Sequence, residues 1–364
     1  MRKNDFVIIM AGGIGSRFWP MSRSSYPKQF HDILGTGKSM IRMTYERFLE
    51  YIPRENILIV THRRYRDLVK TQLPEVQDSE ILLEPVGRNT APCIAYASFK
   101  IRQRNPQANV LVAGSDYLIL NTEKFRKDVE LGLDEASKEP VIITLGIPPT
   151  RPDTGYGYIQ FHEPEEGDNP PYFQVKTFTE KPDLEMAKTF LNSGDFLWNS
   201  GMFIFSLPTI LSAFEAYMPD LYDIFEGIHR RLDTDEEAAA IEDAYSRCRN
   251  DSIDTGVMEK AQSENIYVIP ASFDWSDLGT WGSVYEHVDQ DYLGNAVSGN
   301  VVVYDSTSNL VRMADQGKLV VLNGLNDFIV VDTGDVLLIC KKENEQGIKG
   351  VVADVRKRFG EDWV

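Results

Sequence analysis

The chain has 364 residues, of which 42% are hydrophobic and 26% are charged, and its formal net charge is −17. This composition is that of a globular protein with one large and one smaller domain, and no apolar run is long enough to predict a transmembrane helix. The acidic net charge argues against partners such as nucleic acid or an anionic membrane. The cysteines are three and widely spaced, which predicts a reducing, cytoplasmic location.

The first part of the chain alternates short apolar runs with segments of helical period. Predicted buried strands are Phe6–Met10, Ile57–Val60, Ile81–Leu83, Val110–Ala113 and Val141–Leu145. Between them, Met40–Ile52, Ala91–Arg104 and Glu123–Ser137 predict amphipathic helices. This alternation is typical of a Rossmann-like α/β fold with a mostly parallel, doubly wound sheet.

The C-terminal part has a different sequence pattern. Short apolar strands are predicted to begin at intervals of 9, 9, 9 and 8 residues, at Val301, Leu310, Leu319, Phe328 and Val336. This spacing predicts an all-β unit, either a meander or a short β-solenoid, followed by a closing helix at 346–359. We therefore expect a catalytic domain at residues 1–290 and a C-terminal β domain at 291–364.

The most informative segment is the glycine-rich loop that follows the first predicted strand. The residues expected to bring backbone amides close to phosphate oxygens are Ala11, Gly12, Gly13, Gly15 and Ser16. The loop is neither a dinucleotide fingerprint, because Phe18 occupies the third glycine position, nor a Walker A loop. Farther along, Arg17 and Lys28 can neutralise a triphosphate and stabilise a departing pyrophosphate, which makes them the candidate catalytic residues.

The whole string, with Trp19-Pro20 and Pro27-Lys28-Gln29-Phe30 after the glycines, resembles the signature of the sugar-1-phosphate nucleotidyltransferases. Its Trp-Pro and Lys-Gln-Phe elements resemble those of the mannose-1-phosphate guanylyltransferases. The resemblance implies the nucleotidyltransferase fold with a small, left-handed β-helix-like C-terminal domain. It also implies transfer of GMP from GTP to α-D-mannose 1-phosphate, with Mg²⁺ as cofactor, giving GDP-mannose and pyrophosphate.

A second motif, Glu84-Pro85-Val86-Gly87-Arg88-Asn89-Thr90, is similar to the family's nucleotide-base segment. The resemblance implies nucleotide contacts from Glu84, Asn89 and Thr90. A carboxylate at Glu84 can accept hydrogen bonds from guanine N1–H and the exocyclic amine, and Asn89 can serve O6. The alternative is that Glu84 or Asn89 caps the helix that starts near Ala91.

Two aspartates match positions that supply metal-binding carboxylates in the family: Asp116, after the strand at Val110–Ala113, and Asp277. Two carboxylates completed by phosphate oxygens and water suit Mg²⁺. Taken alone, either aspartate would more often be a turn or helix cap. The family's Pro-Ala-Asp-His is replaced here by Gly-Ser-Asp116-Tyr117, so the orientation of Asp116 is left open.

Three further segments, at residues 152–159, 179–182 and 198–203, resemble the family's sugar-phosphate region. The resemblance implies contacts from Gly157, Glu180, Lys181 and Asn199. Glycine permits close backbone approach, Glu180 and Asn199 can bond hydroxyls, and Lys181 can meet the sugar phosphate. The expected partners are therefore GTP and mannose 1-phosphate, and a homodimer would suit the exposed edges of a small β domain. Two alternatives stay open: another nucleotide or sugar, such as UTP or dTTP with glucose 1-phosphate, and a catalytically silent subunit that senses nucleotide sugars.

Overall fold

The computed structural model of the chain describes residues 1–162, 171–261, 265–314 and 317–364, and in it the chain forms two compact units. The sheet unit comprises Met1–Gly12, Thr44–Ser115 and Ile119–Trp275. The solenoid unit comprises Gly13–Met43, Asp116–Leu118 and Ser276–Val364, so it contains residues from the N-terminal part of the chain as well. The division into domains at residues 290 and 291 stays a prediction.

The elements are numbered in chain order. The strands are β1 (Asp5–Met10), β2 (Ile57–His62), β3 (Ile81–Glu84), β4 (Asn109–Gly114), β5 (Leu118–Ile119), β6 (Ile142–Ile147), β7 (Tyr158–Phe161), β8 (Phe173–Thr179), β9 (Phe196–Ser206), β10 (Ile266–Pro270), β11 (Trp275–Ser276), β12 (Ala296–Ser298), β13 (Asn300–Tyr304), β14 (Leu310–Met313), β15 (Leu319–Asn323), β16 (Phe328–Asp332) and β17 (Leu337–Lys341). The α-helices are α1 (Met40–Leu49), α2 (Arg66–Gln72), α3 (Thr90–Arg104), α4 (Thr122–Ala136), α5 (Leu184–Ser193), α6 (Leu207–Tyr217), α7 (Pro219–Ile228), α8 (Glu237–Arg247), α9 (Trp281–Tyr285) and α10 (Ile348–Phe359).

The sheet unit is built on a sheet whose strand order is β3-β2-β1-β4-β9-β6-β10-β8-β7. Strand β1 pairs in parallel with β2 and β4, β2 pairs in parallel with β3, and β6 pairs in parallel with β10. The predicted mostly parallel α/β sheet is thus confirmed. Two strands depart from the parallel pattern: β9 runs antiparallel between β4 and β6, and β8 runs antiparallel between β10 and β7.

The edge of the sheet at the end of β1 is where the glycine-rich loop begins. The order reverses at β1, since β2 lies on one side of it and β4 on the other, with Met10 opposite Gly114. Such a reversal opens a crevice at the carboxyl ends of parallel strands, where α/β folds bind their ligands. The amide of Ser115, just after β4, donates to the Met10 carbonyl at 3.0 Å. The segments that follow β1 and β4 are therefore joined at the same edge of the sheet.

Helix α3 is buried on nearly every side, in contrast to the predicted amphipathic helix at Ala91–Arg104. Residues Ala91 to Ile101 are all buried, including Ser98 and Lys100. The buried ammonium of Lys100 is neutralised by Asp233, at 2.8 Å, and by Glu237. A buried charge needs such partners, because burial strips it of water.

The C-terminal strands form a parallel stack, which decides between the two predicted alternatives in favour of the solenoid. Strands β12, β14 and β16 pair in parallel, and so do β13 and β15. Asn300 pairs with Leu319 and Leu310 with Ile329, so these coils advance by 19 residues and the predicted spacing of nine is about half a coil. The first coil is shorter, because Ala296 pairs with Leu310. The stack ends at β17, which pairs antiparallel with β16.

Two buried asparagines connect successive coils of the solenoid. The Nδ2 of Asn309 donates to Oδ1 of Asn295 at 2.9 Å and to the Leu325 carbonyl at 2.8 Å. Its Oδ1 accepts from the amide of Phe328 at 2.9 Å. These bonds satisfy polar groups that would otherwise be costly to bury, and they tie the turns of neighbouring coils together.

A second core holds the segment after the glycines inside the solenoid unit. Phe18, Trp19 and Trp281 are buried in it together with Val352 of α10. The indole N–H of Trp19 donates to the Trp363 carbonyl at 2.7 Å. Within the described ranges, no helix combines the length and apolar character required to span a bilayer.

Candidate active site

Gly15 is required by both backbone and space in the solenoid unit. Its φ is +72°, a conformation that favours glycine, and a Cβ added there would lie 2.5 Å from Cβ of Lys28. The amide of Lys28 donates to the Ile14 carbonyl at 3.1 Å. The glycine turn and the lysine segment are therefore held side by side, which explains why both belong to one sequence signature.

The Lys28 side chain is buried, with 3% of its surface exposed. Its ammonium donates to Oδ2 of Asp116 at 2.9 Å, to the Asp116 carbonyl at 3.3 Å and to the Asp277 carbonyl at 2.7 Å. The ring of Phe18 lies 5.1 Å from the ammonium and adds a cation–π contact. One cation thus joins two aspartates that are far apart in the sequence.

The two aspartates contribute to this cluster, here called the Lys28 cluster, through different atoms. Asp116 presents its carboxylate, which is 34% exposed on the side chain. Asp277 presents its main-chain carbonyl to Lys28, while its Oδ1 accepts from the amide of Gly279 at 2.9 Å. The structure therefore brings both predicted metal positions to a common ammonium.

These donors suit a hard divalent cation, which prefers carboxylate and carbonyl oxygens. In the described part of the chain, no group of three or more His, Cys, Asp or Glu side chains could hold a metal ion. An ion bound at Asp116 and Asp277 would need further ligands from substrate and water. It would also share Asp116 with the Lys28 ammonium.

Arg17 lies in a short 3-10 helix, Ser16–Phe18, and is half-buried. Its charge acts on Glu345, a residue that the sequence analysis did not single out. Burial raises the pKa of the Glu345 carboxyl, and the Arg17 guanidinium is among the groups that lower it. Glu345 also accepts from the Gly282 amide at 2.6 Å, which holds its carboxyl in place.

In the sheet unit, the start of the glycine loop is fixed by β2. The amide of Ala11 donates to the Val60 carbonyl at 2.8 Å, and the Thr61 hydroxyl donates to the Ala11 carbonyl at 2.8 Å. A Cβ added at Gly12 would lie 3.3 Å from Oε2 of Glu84, so the glycine permits a close approach of this carboxyl.

Glu84 ends β3 as a buried acid, with 5% of its surface exposed. The hydroxyl of Tyr245, on α8, donates to its Oε1 at 2.9 Å. Burial raises the pKa of the Glu84 carboxyl to about 7, and the Tyr245 hydrogen bond opposes that rise. Tyr245 was not among the predicted residues, because it lies 161 positions away and α8 shows no motif around it.

Asn89 and Thr90 both make structural contacts at the start of α3. Asn89 has a φ of 69°, and its side chain accepts from the Thr90 amide at 2.9 Å, so it caps the helix as the alternative interpretation allowed. The Thr90 hydroxyl accepts from the amide of Ile253 at 2.9 Å. Their assignment to the nucleotide stays a prediction.

The predicted sugar residues form a polar cluster in the sheet unit. A Cβ added at Gly157 would lie 2.6 Å from Oε2 of Glu180 and 3.3 Å from Cβ of Asn199. Lys181 has a φ of 48° and forms an ion pair with Glu180. The amide of Asn199 donates to the Gly157 carbonyl at 2.8 Å, so three of the predicted positions are in contact.

This cluster includes Asp254, which the sequence analysis did not predict. Asp254 begins a π-helical turn, Asp254–Met258, and its Oδ1 accepts from Nδ2 of Asn199 at 2.8 Å. Burial raises the pKa of its carboxyl to about 6, and the nearby Glu180 carboxylate adds to the rise. A lone acid in a Ser-Ile-Asp-Thr-Gly segment carries no sequence signal, since the contact arises only from the fold.

The predicted site residues are divided between the two units. Those in the sheet unit are Ala11, Gly12, Glu84, Asn89, Thr90, Gly157, Glu180, Lys181 and Asn199. Those in the solenoid unit are Gly13, Gly15, Ser16, Arg17, Lys28, Asp116 and Asp277. Within the units, the structure brings together the Lys28 cluster and the Gly157–Glu180–Asn199 cluster.

Comparison with known families gives two matches along the chain. The model of the nucleotidyl transferase family matches residues 6–292. The model of the MannoseP isomerase/GMP-like beta-helix domain matches residues 299–355. The predicted fold class, a nucleotidyltransferase fold with a C-terminal β-helix-like part, is thereby confirmed.

Individual relatives agree with these matches. A mannose-1-phosphate guanylyltransferase from Salmonella montevideo is 38% identical over 357 residues, which cover 96% of this chain and 73% of the relative. One from Escherichia coli (strain K12) is 36% identical and covers 96% of this chain and 73% of the relative. A solved structure from Thermus thermophilus, described as a mannose-1-phosphate geranyltransferase, is 28% identical with a TM-score of 0.84, covering 97% of this chain and 99% of that one. With a family match over most of its length and such relatives along nearly all of it, the chain belongs to the nucleotidyl transferase family and, within it, groups with the mannose-1-phosphate guanylyltransferases.

Proposed function

We propose that the chain transfers GMP from GTP to α-D-mannose 1-phosphate and releases GDP-mannose and pyrophosphate. The names of the relatives support this reaction. The observation that carries it is the Lys28 cluster, in which one buried ammonium contacts Asp116 and Asp277. A cation and two aspartates are the groups required to manage the charge of a triphosphate.

In the proposed reaction, an oxygen of the sugar phosphate attacks the α-phosphorus of GTP in line with the departing pyrophosphate. No covalent intermediate with the protein is needed, so the chain acts by positioning and by charge stabilisation. Lys28 stabilises the charge near the α-phosphate and Arg17 binds the β- and γ-phosphates. Backbone amides of the glycine loop, from Ala11 to Ser16, bond phosphate oxygens.

Enzymes of this family generally use a divalent metal ion, and we propose Mg²⁺ here. When bound, Mg²⁺ supplies positive charge to the phosphate oxygens. Asp116 and Asp277 are the residues that would hold it. Lys28 would then move part of its interaction from Asp116 to the phosphate, because its three N–H groups already have three acceptors.

Substrate selection is proposed to reside in the sheet unit. Glu84, when ionised, accepts from guanine N1–H and the exocyclic amine, and Asn89 and Thr90 border the same segment. Gly157, Glu180, Lys181 and Asn199 receive the sugar phosphate. The close contacts of Gly157 with Glu180 and Asn199 support this second assignment.

The decisive test is pyrophosphate release by the purified chain, measured with Mg²⁺ and each of GTP, ATP, UTP and dTTP, either without a sugar phosphate, with mannose 1-phosphate or with glucose 1-phosphate. We expect release only with GTP and mannose 1-phosphate together. Faster release from UTP or dTTP with glucose 1-phosphate would assign another substrate pair to the same chemistry. Tight binding of GDP-mannose without any release would instead identify a silent, sensing subunit.

Location and assembly are also proposals. A cytoplasmic location fits the three unpaired cysteines and a GTP-dependent reaction. A homodimer is supported by exposed apolar side chains on the solenoid, including Val302, Tyr304, Leu319 and Val321. Light scattering coupled to gel filtration would detect the dimer, and a monomer at micromolar concentration would refute it.

A further inference from the structure

The side-chain amide of Asn199 is held in one orientation by hydrogen bonds within its own strand and to two other segments. Its Oδ1 accepts from the amide of Gly201 at 3.1 Å and from the hydroxyl of Thr144 at 3.3 Å. Its Nδ2 donates to Oδ1 of Asp254 at 2.8 Å. Because the Gly201 amide is only a donor, the oxygen must face it, and the nitrogen must face Asp254.

This arrangement leaves Asn199 with one directed donor. An amide nitrogen carries two N–H groups, and Asp254 is the only acceptor for Nδ2 among the described residues. The second N–H can therefore donate to an oxygen of a bound molecule. Asn199 is already in contact with Gly157, whose neighbour in space is Glu180, so this donor belongs to the proposed sugar-phosphate region.

The Asp254 carboxylate accepts a hydrogen bond from Asn199 but forms no ion pair. No cation lies within ion-pair distance of its carboxylate in the described ranges, and Lys181 instead pairs with Glu180. Glu180 is itself held by Glu259, whose Oε1 accepts from the Glu180 amide at 3.2 Å. The acids Glu180 and Asp254 thus repel each other, and donors such as Asn199 and substrate hydroxyls lower that cost.

We propose that Asp254 is a positioning residue of the sugar-phosphate site, which acts by fixing the amide of Asn199 so that its free N–H meets an oxygen of the hexose 1-phosphate. The inference rests on the proposed function and extends it to a residue outside the resemblance. Without Asp254, the Asn199 side chain is held only through Oδ1, by the Gly201 amide and the Thr144 hydroxyl, so the direction of its free N–H is less well fixed. The hydrogen bond from that N–H to the substrate oxygen is then weakened or lost.

The test compares Asp254→Ala and Asp254→Asn with the unchanged chain. For Asp254→Ala, we expect KM for mannose 1-phosphate to rise about 10- to 100-fold, while KM for GTP changes less than about twofold. Asp254→Asn should restore a large part of the loss, since its amide oxygen can still accept from Asn199. Asp251→Asn, on the same segment, is the matched control and should behave as the unchanged chain.

A pH profile separates positioning from a structural role. Burial and the Glu180 carboxylate raise the Asp254 pKa to about 6, against the opposing effects of Asn199 and Lys181. The unchanged chain should therefore lose only a small part of its affinity for mannose 1-phosphate as the pH falls through 6, because protonated Asp254, like the amide in Asp254→Asn, still offers a carbonyl oxygen to Asn199. The substrate's own phosphate titrates near the same pH and affects every variant alike. The part of the profile that Asp254→Asn removes is therefore the part that Asp254 contributes.

Equal rises in both KM values, or an unchanged KM for mannose 1-phosphate in folded Asp254→Ala, would overturn the inference. Calorimetric titration with mannose 1-phosphate measures the same effect without turnover. If the unchanged chain released no pyrophosphate yet bound mannose 1-phosphate more tightly than Asp254→Ala does, the proposed reaction would fail and the role of Asp254 would stand. If Asp254→Ala bound it equally well, the role of Asp254 would fail, whatever the reaction.

Discussion

In the solenoid unit the candidate site residues gather around a buried cation, whereas in the sheet unit they gather around acids with a raised pKa. Lys28 has its counter-charge within the protein, since Asp116 lies 2.9 Å from its ammonium. Glu84 and Asp254 accept hydrogen bonds from neutral side chains, those of Tyr245 and Asn199. The two regions therefore respond differently to removal of a side chain and to pH.

The difference fits the ligands that we propose for each region. A triphosphate brings its own negative charge, so the protein must hold a cation ready and keep it neutralised until the substrate arrives. Bases and sugars bring N–H and O–H donors, so acceptors held in a dry environment suit them. Burial then raises the pKa of Glu84 to about 7 and of Asp254 to about 6, close to physiological pH.

The largest expected effect comes from the cation. Lys28→Ala should lower kcat by about 100-fold or more, because it removes the charge proposed to stabilise the reacting phosphate. It also leaves the Asp116 carboxylate without its partner. Pyrophosphate release under saturating substrates measures the change.

Lys357→Ala is the control for that experiment, because Lys357 is an exposed lysine of α10 in the same unit. It should keep the kcat of the unchanged chain. Near-native turnover by Lys28→Ala would remove Lys28 from the proposed chemistry and break the contrast between the two regions.

The next effect is on stability and tests how tightly the glycine turn is fitted to Lys28. Gly15→Ala and Gly37→Ala both place alanine at a positive φ, 72° and 84°, which costs about 1–2 kcal/mol. Only Gly15→Ala also creates a clash, with Cβ of Lys28 at 2.5 Å, worth about 1–3 kcal/mol more. Urea denaturation should show this difference, and equal losses would mean that space at Gly15 is unimportant.

A smaller effect concerns pH and the sheet unit. Ionised Glu84 is the proposed acceptor for guanine, and its pKa is raised to about 7, so KM for GTP should fall about tenfold from pH 6 to pH 8. Glu84→Gln should show a higher KM that lacks this component. GTP itself titrates in this range, and the difference between the two profiles isolates Glu84.

The same carboxyl affects stability with the opposite sign. A folded pKa above the unfolded one means that the folded chain holds a proton the unfolded chain has lost. Stability should therefore decrease as the pH rises from about 4.5 to 7, by an amount on the order of 3 kcal/mol for Glu84. Glu84→Gln should flatten that decrease, and an unchanged slope would contradict the burial of Glu84.

The smallest effect is expected for an ion pair of the solenoid unit. Arg23 contacts both oxygens of Asp335 at 2.7 Å, and it holds the pKa of that carboxyl well below its usual range. Because Asp335 is about half exposed, Asp335→Asn should lower the unfolding free energy by less than about 1 kcal/mol near neutral pH. The loss should shrink in high salt, which screens the ion pair. It should also shrink as the pH falls below the pKa of an ordinary carboxyl, because Asp335 is then protonated in the unfolded chain and becomes protonated in the folded chain as well.

The candidate site could be predicted where its residues lie in one motif. Gly15 and Lys28 belong to one string, and the structure supplies the reason in the contact between them. Asp254 and Tyr245 could not be found in this way. Their partners, Asn199 and Glu84, lie 55 and 161 residues away in the sequence. Lone residues of common types carry no signal until the fold brings them together.

The sequence by itself determined the local features: apolar runs that become strands, helical periods, the glycine turn and a nine-residue interval near the C-terminus. Those depend on the preferences of neighbouring residues. Only the tertiary structure decided the antiparallel insertion of β9, the solenoid rather than a meander, and the acids that keep a raised pKa. Strand partners and burial are set by contacts between distant segments. A spacing of nine residues fits a meander, in which each strand pairs with the next one. It fits equally well a solenoid, in which each strand pairs with the strand one coil later.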